Sequence, residues 1–325
     1  MADVVVITGA SSGIGRATAH RFARTGRPLA LIARGTEALD ATRREIAALG
    51  IQALAFPLDM ADDAAVEAAA ARVEAELGPI GIWVNNAMVN VWGEFLDIPE
   101  AEFRRVTETG YFGYVNGTRA ALRRMKPRDE GSIVQVGSMI SYVAAPLQSA
   151  YSGVKHAVRG FTEAVRAELM HAGSRVRVGM VLPASINTPF YDTAGNRMRE
   201  GVPRPVPPVY QPELVAEAIR HIAERGGREI FVGGVAEAAA MARSLAPALT
   251  NQALPLTYTA QRAGTAPAEA RSGNVFQPMP GDRGIHGRFG GQALRVSPHL
   301  WLAQARSSAE AVLSGLTRRA FGRRS

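Results

Sequence analysis

The sequence of 325 residues contains no cysteine, which excludes disulfide bonds, thiolate catalysis and cysteine-ligated metals. Its six histidines are not closely paired as they are in zinc or iron sites, so no metal centre is expected. No run of about 18 uncharged apolar residues occurs, and the N-terminus lacks a basic region and a cleavage signature. We therefore expect a cytoplasmic protein with neither a secretory signal nor a transmembrane helix.

Lysine is also scarce, because Lys126 and Lys155 are the only lysines among 37 basic residues. Arginine thus serves wherever a generic cation is sufficient. A lysine at position 155 therefore indicates a site that requires a compact ammonium group.

The net charge of +8 comes entirely from the C-terminal part of the chain. Residues 1–240 contain 26 basic and 26 acidic side chains, whereas residues 241–325 contain 11 and 3. The balanced part has no electrostatic footprint for nucleic acid, and aromatic residues are sparse in the basic part, so no nucleic-acid partner is expected. We predict a main domain over residues 1–240 and a basic extension rich in Gly, Pro and Arg over 241–325.

Short apolar runs alternate with stretches of helical periodicity from residue 3 to about 232. This alternation predicts an α/β fold with a parallel sheet covered by helices on both faces. The predicted strands are 4–7, 29–33, 53–56, 80–84, 132–136, 176–182 and 229–232. The predicted helices are 13–26, 36–49, 62–77, 99–125, 149–172 and 212–226.

Three later segments allow more than one interpretation. Residues 201–212 contain five prolines and form either a lid over a substrate or a simple connector. From residue 246 the pattern weakens, and little regular structure is expected. A last helix over 298–320 either packs on the main domain or a second subunit, or touches anionic lipid. Its apolar stripe is Trp301, Ala305, Ala309, Val312, Leu316 and Ala320.

A glycine turn follows the first predicted strand, with Gly9, Gly13 and Gly15 spaced as GxxxGxG. Glycines at such a bend let the backbone approach a bulky anion, while free N–H groups and the helix dipole attract phosphate. The spacing differs from both the GxGxxG fingerprint and the phosphate loop that ends in Gly-Lys-Ser/Thr. The turn predicts a nucleotide site without specifying its class.

Tyr151 and Lys155 are four residues apart on one predicted helix, 13 residues after Ser138. They share a helix face, so both polar ends can serve one cavity. The ammonium group would stabilise the phenolate and lower the tyrosine pKa, which makes Tyr151 a usable proton carrier. Ser138 would lie at the end of its strand, where its hydroxyl can bind a substrate oxygen that changes charge.

These motifs, in their order and spacing, resemble the short-chain dehydrogenase/reductase family over about residues 3–232. The resemblance rests on the sequence TGASSGIG at 8–15, Asn85-Asn86-Ala87, Ser138, Tyr151 with Lys155, and Pro183 followed by Thr188. It implies a seven-stranded Rossmann-type doubly wound sheet. It also implies hydride transfer between a nicotinamide cofactor and a carbonyl or alcohol.

The resemblance also implies the role of each residue. Tyr151 would exchange a proton with the reacting oxygen, Ser138 would orient that oxygen, and Lys155 would lower the tyrosine pKa and hold the ribose. Adenine would lie by Asp59 and Met60, and the nicotinamide carboxamide by Ile186 and Thr188. The full set of expected cofactor contacts is Gly9, Ser11, Ser12, Gly13, Ile14, Gly15, Arg34, Asp59, Met60, Asn85, Ala87, Tyr151, Lys155, Pro183, Ile186 and Thr188.

The end of the second strand favours NADP(H) as the cofactor. Enzymes that prefer NAD usually carry a carboxylate there, whereas this chain has Ala33 followed by Arg34. Arg34 can pair with a 2′-phosphate, and Ser12 can add a hydrogen bond. An arginine without a ligand is the alternative.

Three residues depart from the family pattern. Gly110 stands where the family has an asparagine that holds a water in the proton relay, and Asn116 or a rearranged water chain could replace it. Met88 and Ala184 each replace an expected glycine. The departures motivate an alternative function, an NADP-binding protein with little turnover that engages a partner or a membrane surface through its basic tail.

Candidate substrate-lining residues are apolar or aromatic, which suggests a hydrophobic alcohol or ketone. They are Met139, Val143, Phe190 and Tyr191. The resemblance further implies a homodimer or homotetramer.

Overall fold

The computed structural model describes residues 3–306. Its strands are β1 (Val4–Thr8), β2 (Leu29–Ala33), β3 (Ala53–Pro57), β4 (Ile80–Asn85), β5 (Val91–Trp92), β6 (Ser132–Val136), β7 (Arg177–Pro183), β8 (Ser185–Ile186), β9 (Gly195–Asn196), β10 (Glu200–Pro203), β11 (Val209–Tyr210), β12 (Glu229–Val232), β13 (Arg262–Pro267) and β14 (Ala293–Leu294). Its helices are α1 (Gly13–Ala23), α2 (Thr36–Ala48), α3 (Asp63–Leu77), α4 (Glu100–Thr107), α5 (Gly113–Arg128), α6 (Ser149–His171), α7 (Phe190–Thr193), α8 (Pro212–Arg225), α9 (Gly234–Leu245), α10 (Pro247–Ala253) and α11 (Thr257–Ala260).

Seven strands form one parallel sheet in the order β12-β7-β6-β4-β1-β2-β3. The strand order reverses at β1, which pairs with β2 on one side and β4 on the other. In open parallel sheets, ligands bind outside the carboxyl ends of the strands at such a reversal. The predicted doubly wound, seven-stranded fold is therefore confirmed, and it locates the expected site.

The sheet is buried on both faces, which explains its nearly continuous apolar strands. Along β1, Val5 and Ile7 pack on one face with α1 and α8, whereas Val4 and Val6 pack on the other with α3 and α5. Consecutive strand residues point to opposite faces, so a run of four apolar residues serves both layers. All seven predicted strands of the sheet are found, with ends shifted by two residues at most.

One predicted helix differs in the structure. The stretch predicted as a helix over 99–125 covers α4 and most of α5, which are joined by a π-helical turn over Glu108–Phe112. A π-helical turn inserts an extra residue into a helix and often marks a functional site. This turn contains Gly110, one of the departures from the family pattern.

The extension is more regular at its start than predicted. Helices α9, α10 and α11 follow the sheet, and β13 pairs antiparallel with β10 from the proline-rich segment. The expectation of little structure after residue 246 is therefore wrong for 247–267.

Residues 298–306 are helical, and Leu300 and Ala303 are buried in the core beside α8. Trp301 is 63% exposed, so the apolar stripe predicted to begin there is wrong in the described part. The remaining stripe residues Ala309, Val312, Leu316 and Ala320 lie outside the described residues. Among residues 3–306, no helix combines the length and apolarity that crossing a membrane would require.

Candidate active site

A cavity of about 370 Å³ runs along the carboxyl ends of the sheet strands. Most of the residues predicted from the sequence line it, namely Gly9, Ser11, Ser12, Gly13, Ile14, Arg34, Asp59, Met60, Ala87, Ser138, Tyr151, Lys155, Pro183, Ile186 and Thr188. The fold thus brings the glycine turn and the Ser-Tyr-Lys set to one continuous surface. Gly15 and Asn85 are the predicted site residues that do not line the cavity.

The glycine turn is fixed by close backbone approaches. Gly9 has a φ of +67°, and a Cβ there would lie 2.8 Å from the side-chain Nδ2 of Asn86. A Cβ on Gly15 would collide with the Gly9 carbonyl oxygen, so this position serves the packing of the turn itself. Thr8 Oγ1 accepts hydrogen bonds from the backbone N–H groups of Asn86 and Ala87, at 2.9 and 3.0 Å. These contacts join the turn to the end of β4.

Asn85 and Asn86 have opposite roles at that strand end. Asn85 is 1% exposed, and its amide group donates to Gln135 Oε1 at 2.9 Å and accepts from Trp83 Nε1 at 2.8 Å. A side-chain contact between Asn85 and a nucleotide would break this buried network. Asn86, which was not among the predicted contacts, lines the cavity and donates to Thr8 O at 3.0 Å.

Lys155 is 2% exposed, and its ammonium group points at a backbone carbonyl and a tyrosine hydroxyl rather than at a carboxylate. Nζ donates to Val136 O at 2.7 Å and to Tyr114 Oη at 3.3 Å. Tyr114 in turn donates to Val136 O at 2.9 Å. Burial lowers the pKa of Lys155 to about 7, and no carboxylate among residues 3–306 forms an ion pair with it. Tyr114 is a partner that the sequence motifs did not reveal.

Tyr151 lies beside Lys155, with Nζ 5.4 Å from the centre of its ring. Burial raises the pKa of Tyr151 above its ordinary value, and a hydrogen bond with Ser138 acts in the opposite direction. The net shift of the Tyr151 pKa is therefore upward in this structure, opposite to the expected net lowering. The physical reason is that burial dominates while the ammonium group is directed at Val136 O and Tyr114. The phenol is protonated at neutral pH.

Ser138 is placed at the end of β6 by the turn that follows. Its Oγ accepts a hydrogen bond from Ile140 N at 3.1 Å, and Ser141 Oγ accepts from Ser138 N at 3.3 Å. This reciprocal cap fixes the serine side chain at the cavity wall.

Gly110 and Met88, two of the departures, are in direct contact. A Cβ on Gly110 would lie 2.5 Å from Met88 Sδ and 2.8 Å from Val154 Cγ1. The methionine side chain therefore fills the space in which a side chain at position 110 would begin. Asn116 does not replace the missing amide at Lys155, since its own amide donates to Met60 O at 3.0 Å.

Arg34 is held by three consecutive carbonyl groups of the extension. Nη1 donates to Val275 O at 3.1 Å and to Phe276 O at 3.0 Å, and Nη2 donates to Asn274 O. Burial lowers the pKa of Arg34 from its ordinary value.

A second arginine lies nearby at the same end of the cavity. Arg105, on α4, forms an ion pair with Asp59 and donates to Val275 O at 3.4 Å. The charge of Asp59 raises the pKa of Arg34, and the charge of Arg105 lowers it further. The three charges form one cluster where the sequence placed the adenosine.

The other end of the cavity is apolar. The predicted substrate-lining residues Met139, Val143, Phe190 and Tyr191 all line it, together with Trp92. The ring centres of Tyr151 and Phe190 are 5.8 Å apart, so this apolar wall begins at Tyr151. Val206 and Pro207 of the proline-rich segment also line the cavity, which favours its interpretation as a cover over the substrate end.

Part of the extension lines the cavity as well. We call residues 272–287 the C-terminal strap. Its cavity-lining residues are Asn274, Pro278, Met279, Gly281 and Arg283. No motif or periodicity in the sequence indicated them, because their positions depend on contacts with distant residues. Within residues 3–306, no group of three or more His, Asp or Glu side chains is arranged to hold a metal ion.

Comparisons with known proteins agree with this geometry. Residues 3–198 match the family model described as short chain dehydrogenase. The chain is 34% identical over 263 residues to the uncharacterized oxidoreductase YxnA of Bacillus subtilis. The aligned region covers 80% of this chain and 74% of that protein. A crystal structure of a short-chain dehydrogenase from Streptomyces avermitilis is 30% identical, with a TM-score of 0.67 and coverage of 79% of this chain and 97% of that chain. An alcohol dehydrogenase from Thermococcus sibiricus complexed with 5-hydroxy-NADP is 26% identical, with a TM-score of 0.63 and coverage of 71% and 96%.

Proposed function

The chain belongs to the short-chain dehydrogenase family, and we propose that it is an NADP(H)-dependent oxidoreductase that transfers hydride between nicotinamide and a hydrophobic carbonyl or alcohol substrate. One observation carries the proposal: the glycine turn, Arg34 and the set of Ser138, Tyr151 and Lys155 line a single cavity. A nucleotide and a small substrate can therefore meet in one site.

The residues present fit a dinucleotide phosphate. Gly9 and Gly13 both line the cavity, and their φ angles of +67° and +53° let the backbone turn there without a side chain. The positive end of the α1 dipole lies at this surface, where the N–H of Gly13 donates to Gly284 O. Asn274 Oδ1 is buried at the cavity without a hydrogen-bond partner, so it can accept from an adenosine group. Bound nicotinamide supplies the hydride in this chemistry.

Tyr151 supplies the proton. Its raised pKa keeps the phenol protonated at neutral pH, so it is ready to donate to a carbonyl oxygen that gains negative charge. The C=O π bond then becomes a C–H bond and an O–H bond, and the phenolate is left. Ser138 has one hydroxyl hydrogen, which it donates to the same substrate oxygen as negative charge develops there. We propose carbonyl reduction as the favoured direction because this step begins from the protonated phenol of Tyr151.

Lys155 lies next to the phenolate that this step leaves. Its ammonium group is 5.4 Å from the centre of the Tyr151 ring and is held there by Val136 O and Tyr114. A positive charge at this distance, in a buried site, stabilises the phenolate until a proton is returned. Lys155 therefore keeps two oxygen partners despite the absence of an asparagine at position 110. This arrangement does not favour the alternative of a binding protein without turnover.

NADP(H) is the proposed cofactor because the end of β2 carries Arg34 and no carboxylate. The similar alcohol dehydrogenase from Thermococcus sibiricus was solved with 5-hydroxy-NADP, which supports the same class of cofactor here. The apolar walls around Phe190 and Tyr191 support a hydrophobic substrate. We retain a cytoplasmic location and a homodimer or homotetramer as proposals.

The proposed function is tested by Tyr151→Phe, which removes the transferable proton and keeps the ring. We expect NADPH-dependent reduction of hydrophobic ketones to fall by about 10²–10⁴-fold. The dissociation constant for NADPH, measured by calorimetry, should change less than threefold. Tyr258→Phe is the matched control, because Tyr258 donates to Glu94 at 2.7 Å outside the cavity lining. Full activity in Tyr151→Phe would exclude the proposed chemistry.

A further inference from the structure

The C-terminal strap crosses the adenosine end of the cavity and contacts the glycine turn, the end of β2 and the loop after β8. Gly13 N donates to Gly284 O at 3.1 Å, at the glycine turn. Pro278 lies against the residue after Arg34, since a Cβ on Gly35 would be 3.2 Å from Pro278 Cβ. On the far side, Gly287 N donates to Asn187 O at 3.3 Å, directly after β8.

Two anchors hold the strap. At one end Val275 is fully buried in a core cluster with Val106 of α4 and Val154 of α6. In its middle, Asp282 forms an ion pair with Arg16, whose side chain is only 3% exposed and is paired on its other side with Glu45. Because the arginine is buried between two carboxylates, removal of either one leaves a partly desolvated charge. The strap is thus attached by both apolar and ionic contacts.

At the first anchor, around Val275, the strap holds the guanidinium group of Arg34. Hydrogen bonds to the carbonyl groups of residues 274–276 use three of its five N–H donors at most. Nε has no acceptor among residues 3–306, and neither does the second N–H of Nη2. A guanidinium group binds phosphate well through two such adjacent donors. The carbonyl groups therefore fix the direction of Arg34 and leave donors for an anion.

Asn274 adds an independent indication of a ligand. Its carbonyl oxygen holds Arg34, while its side-chain Oδ1 is buried at the cavity without a donor. A buried acceptor without a partner costs free energy, which a ligand N–H or O–H group can offset.

We propose that the C-terminal strap is part of the cofactor site, where it closes over the adenosine end and holds Arg34 in the orientation that selects NADP(H) over NAD(H). This inference rests on the proposed function and deepens it. The strap remains closed when the nucleotide is bound, and its carbonyl groups act on specificity through Arg34. Residues 272–287 are therefore positioning residues rather than a separate tail.

A reversible cross-link tests whether the closed strap is compatible with bound nucleotide. The chain has no cysteine, so the double variant Gly35→Cys/Pro278→Cys has only one possible intramolecular disulfide. The Cβ separation of 3.2 Å is close to the range of a disulfide, and Gly35 has an ordinary φ of −78°. We expect the disulfide to form equally well with and without saturating NADPH. Protein oxidised in NADPH should retain the nucleotide through gel filtration and release it at least tenfold faster after reduction.

The cross-link experiment can also contradict the proposal. If NADPH prevents the disulfide, or if the oxidised protein cannot hold NADPH, the strap competes with the nucleotide and the proposal is overturned. Reduced protein from the same preparation is the matched control.

A double-mutant cycle tests the effect on specificity. Asp282→Asn keeps the size of the anchor and removes its charge. We expect it to weaken NADPH binding about tenfold and NADH binding less than threefold. In an Arg34→Ala background the same change should leave the NADPH to NADH ratio unaltered, because the strap acts through Arg34. Arg306→Gln, which breaks an exposed ion pair with Glu237, is the control and should change neither nucleotide.

The outcomes separate the two proposals. If the unaltered chain binds neither nucleotide, the proposed function fails. Two other outcomes refute only the role of the strap. In one, the unaltered chain prefers NADPH and Asp282→Asn keeps that full preference. In the other, Asp282→Asn lowers the NADPH to NADH ratio equally in the wild-type and Arg34→Ala backgrounds.

Discussion

Met88 Sδ lies 2.5 Å from the point where a Cβ on Gly110 would be, so the two residues divide one space between them. Both depart from the family pattern, and each departure accounts for the other. A larger residue after Asn-Asn-Ala fits because the π-helical turn carries a glycine.

Gly110→Asn should therefore destabilise the protein, and reducing Met88 should relieve part of that cost. We expect a loss of about 1–3 kcal/mol from overpacking in the single variant, because Val154 also blocks the site. The double variant with Met88→Ala should recover at least about 1 kcal/mol relative to additivity. Urea unfolding of the four proteins measures this coupling. Strictly additive values would show that the two residues do not share the space.

Tyr114→Phe should change the pH dependence of catalysis. The Tyr114 hydroxyl accepts from Lys155 and stabilises its charged form, so its removal lowers the pKa of Lys155 further. The alkaline limb of the kcat profile should move to lower pH by roughly one unit, with KM nearly unchanged. A profile that keeps its limb while kcat falls would indicate a purely structural role for Tyr114.

Lys155→Met should make the protein's stability less dependent on pH. The folded-state pKa of about 7 lies below the ordinary 10.5, so between these values the unfolded chain binds more protons than the folded one. The wild-type penalty is complete below pH 7 and disappears as pH rises toward 10.5. The stability advantage of Lys155→Met should thus shrink by about 1.4 kcal/mol per pH unit in this window.

Denaturant unfolding at pH 7, 8 and 9 measures that slope. Removing the hydrogen bonds of the ammonium group shifts the whole stability curve without changing its slope. Parallel stability curves for the two proteins would contradict a lowered pKa of Lys155 in the folded state.

Arg34→Ala should weaken NADPH binding at least tenfold and leave NADH binding within threefold. The reason is that only the 2′-phosphate needs the guanidinium donors. Calorimetric titration with both nucleotides measures the ratio, and Arg306→Gln is again the control. Equal losses for both nucleotides would assign Arg34 to fixing the strap alone.

The fold was predictable because the parallel sheet leaves a strong trace in the sequence. A strand such as Val4–Thr8 is buried on both faces, so every residue in it is apolar or small. The glycine turn and the pair of Tyr151 and Lys155 were predictable because their spacing follows from local backbone geometry. These features depend on residues that are close in the sequence.

Other features depend on distant residues and left no such trace. The side-chain directions of Asn85 and Asn86 follow from the pleat at the end of β4, which a motif does not report. The direction of the Tyr151 pKa shift follows from burial, which becomes visible only with the packed cavity. The strap is placed by single partners, such as Arg16 for Asp282, more than 250 residues away in the chain.

The order of synthesis gives the position of the strap a further consequence. The last strand of the sheet ends at Val232, and the strap begins about 40 residues later. At 5–20 residues per second, the ribosome needs roughly 2–8 seconds to add that length. The nascent chain can therefore complete its sheet before residues 272–287 cover the adenosine end of the cavity. The first nucleotide can bind at that stage, while this end is still open to solvent.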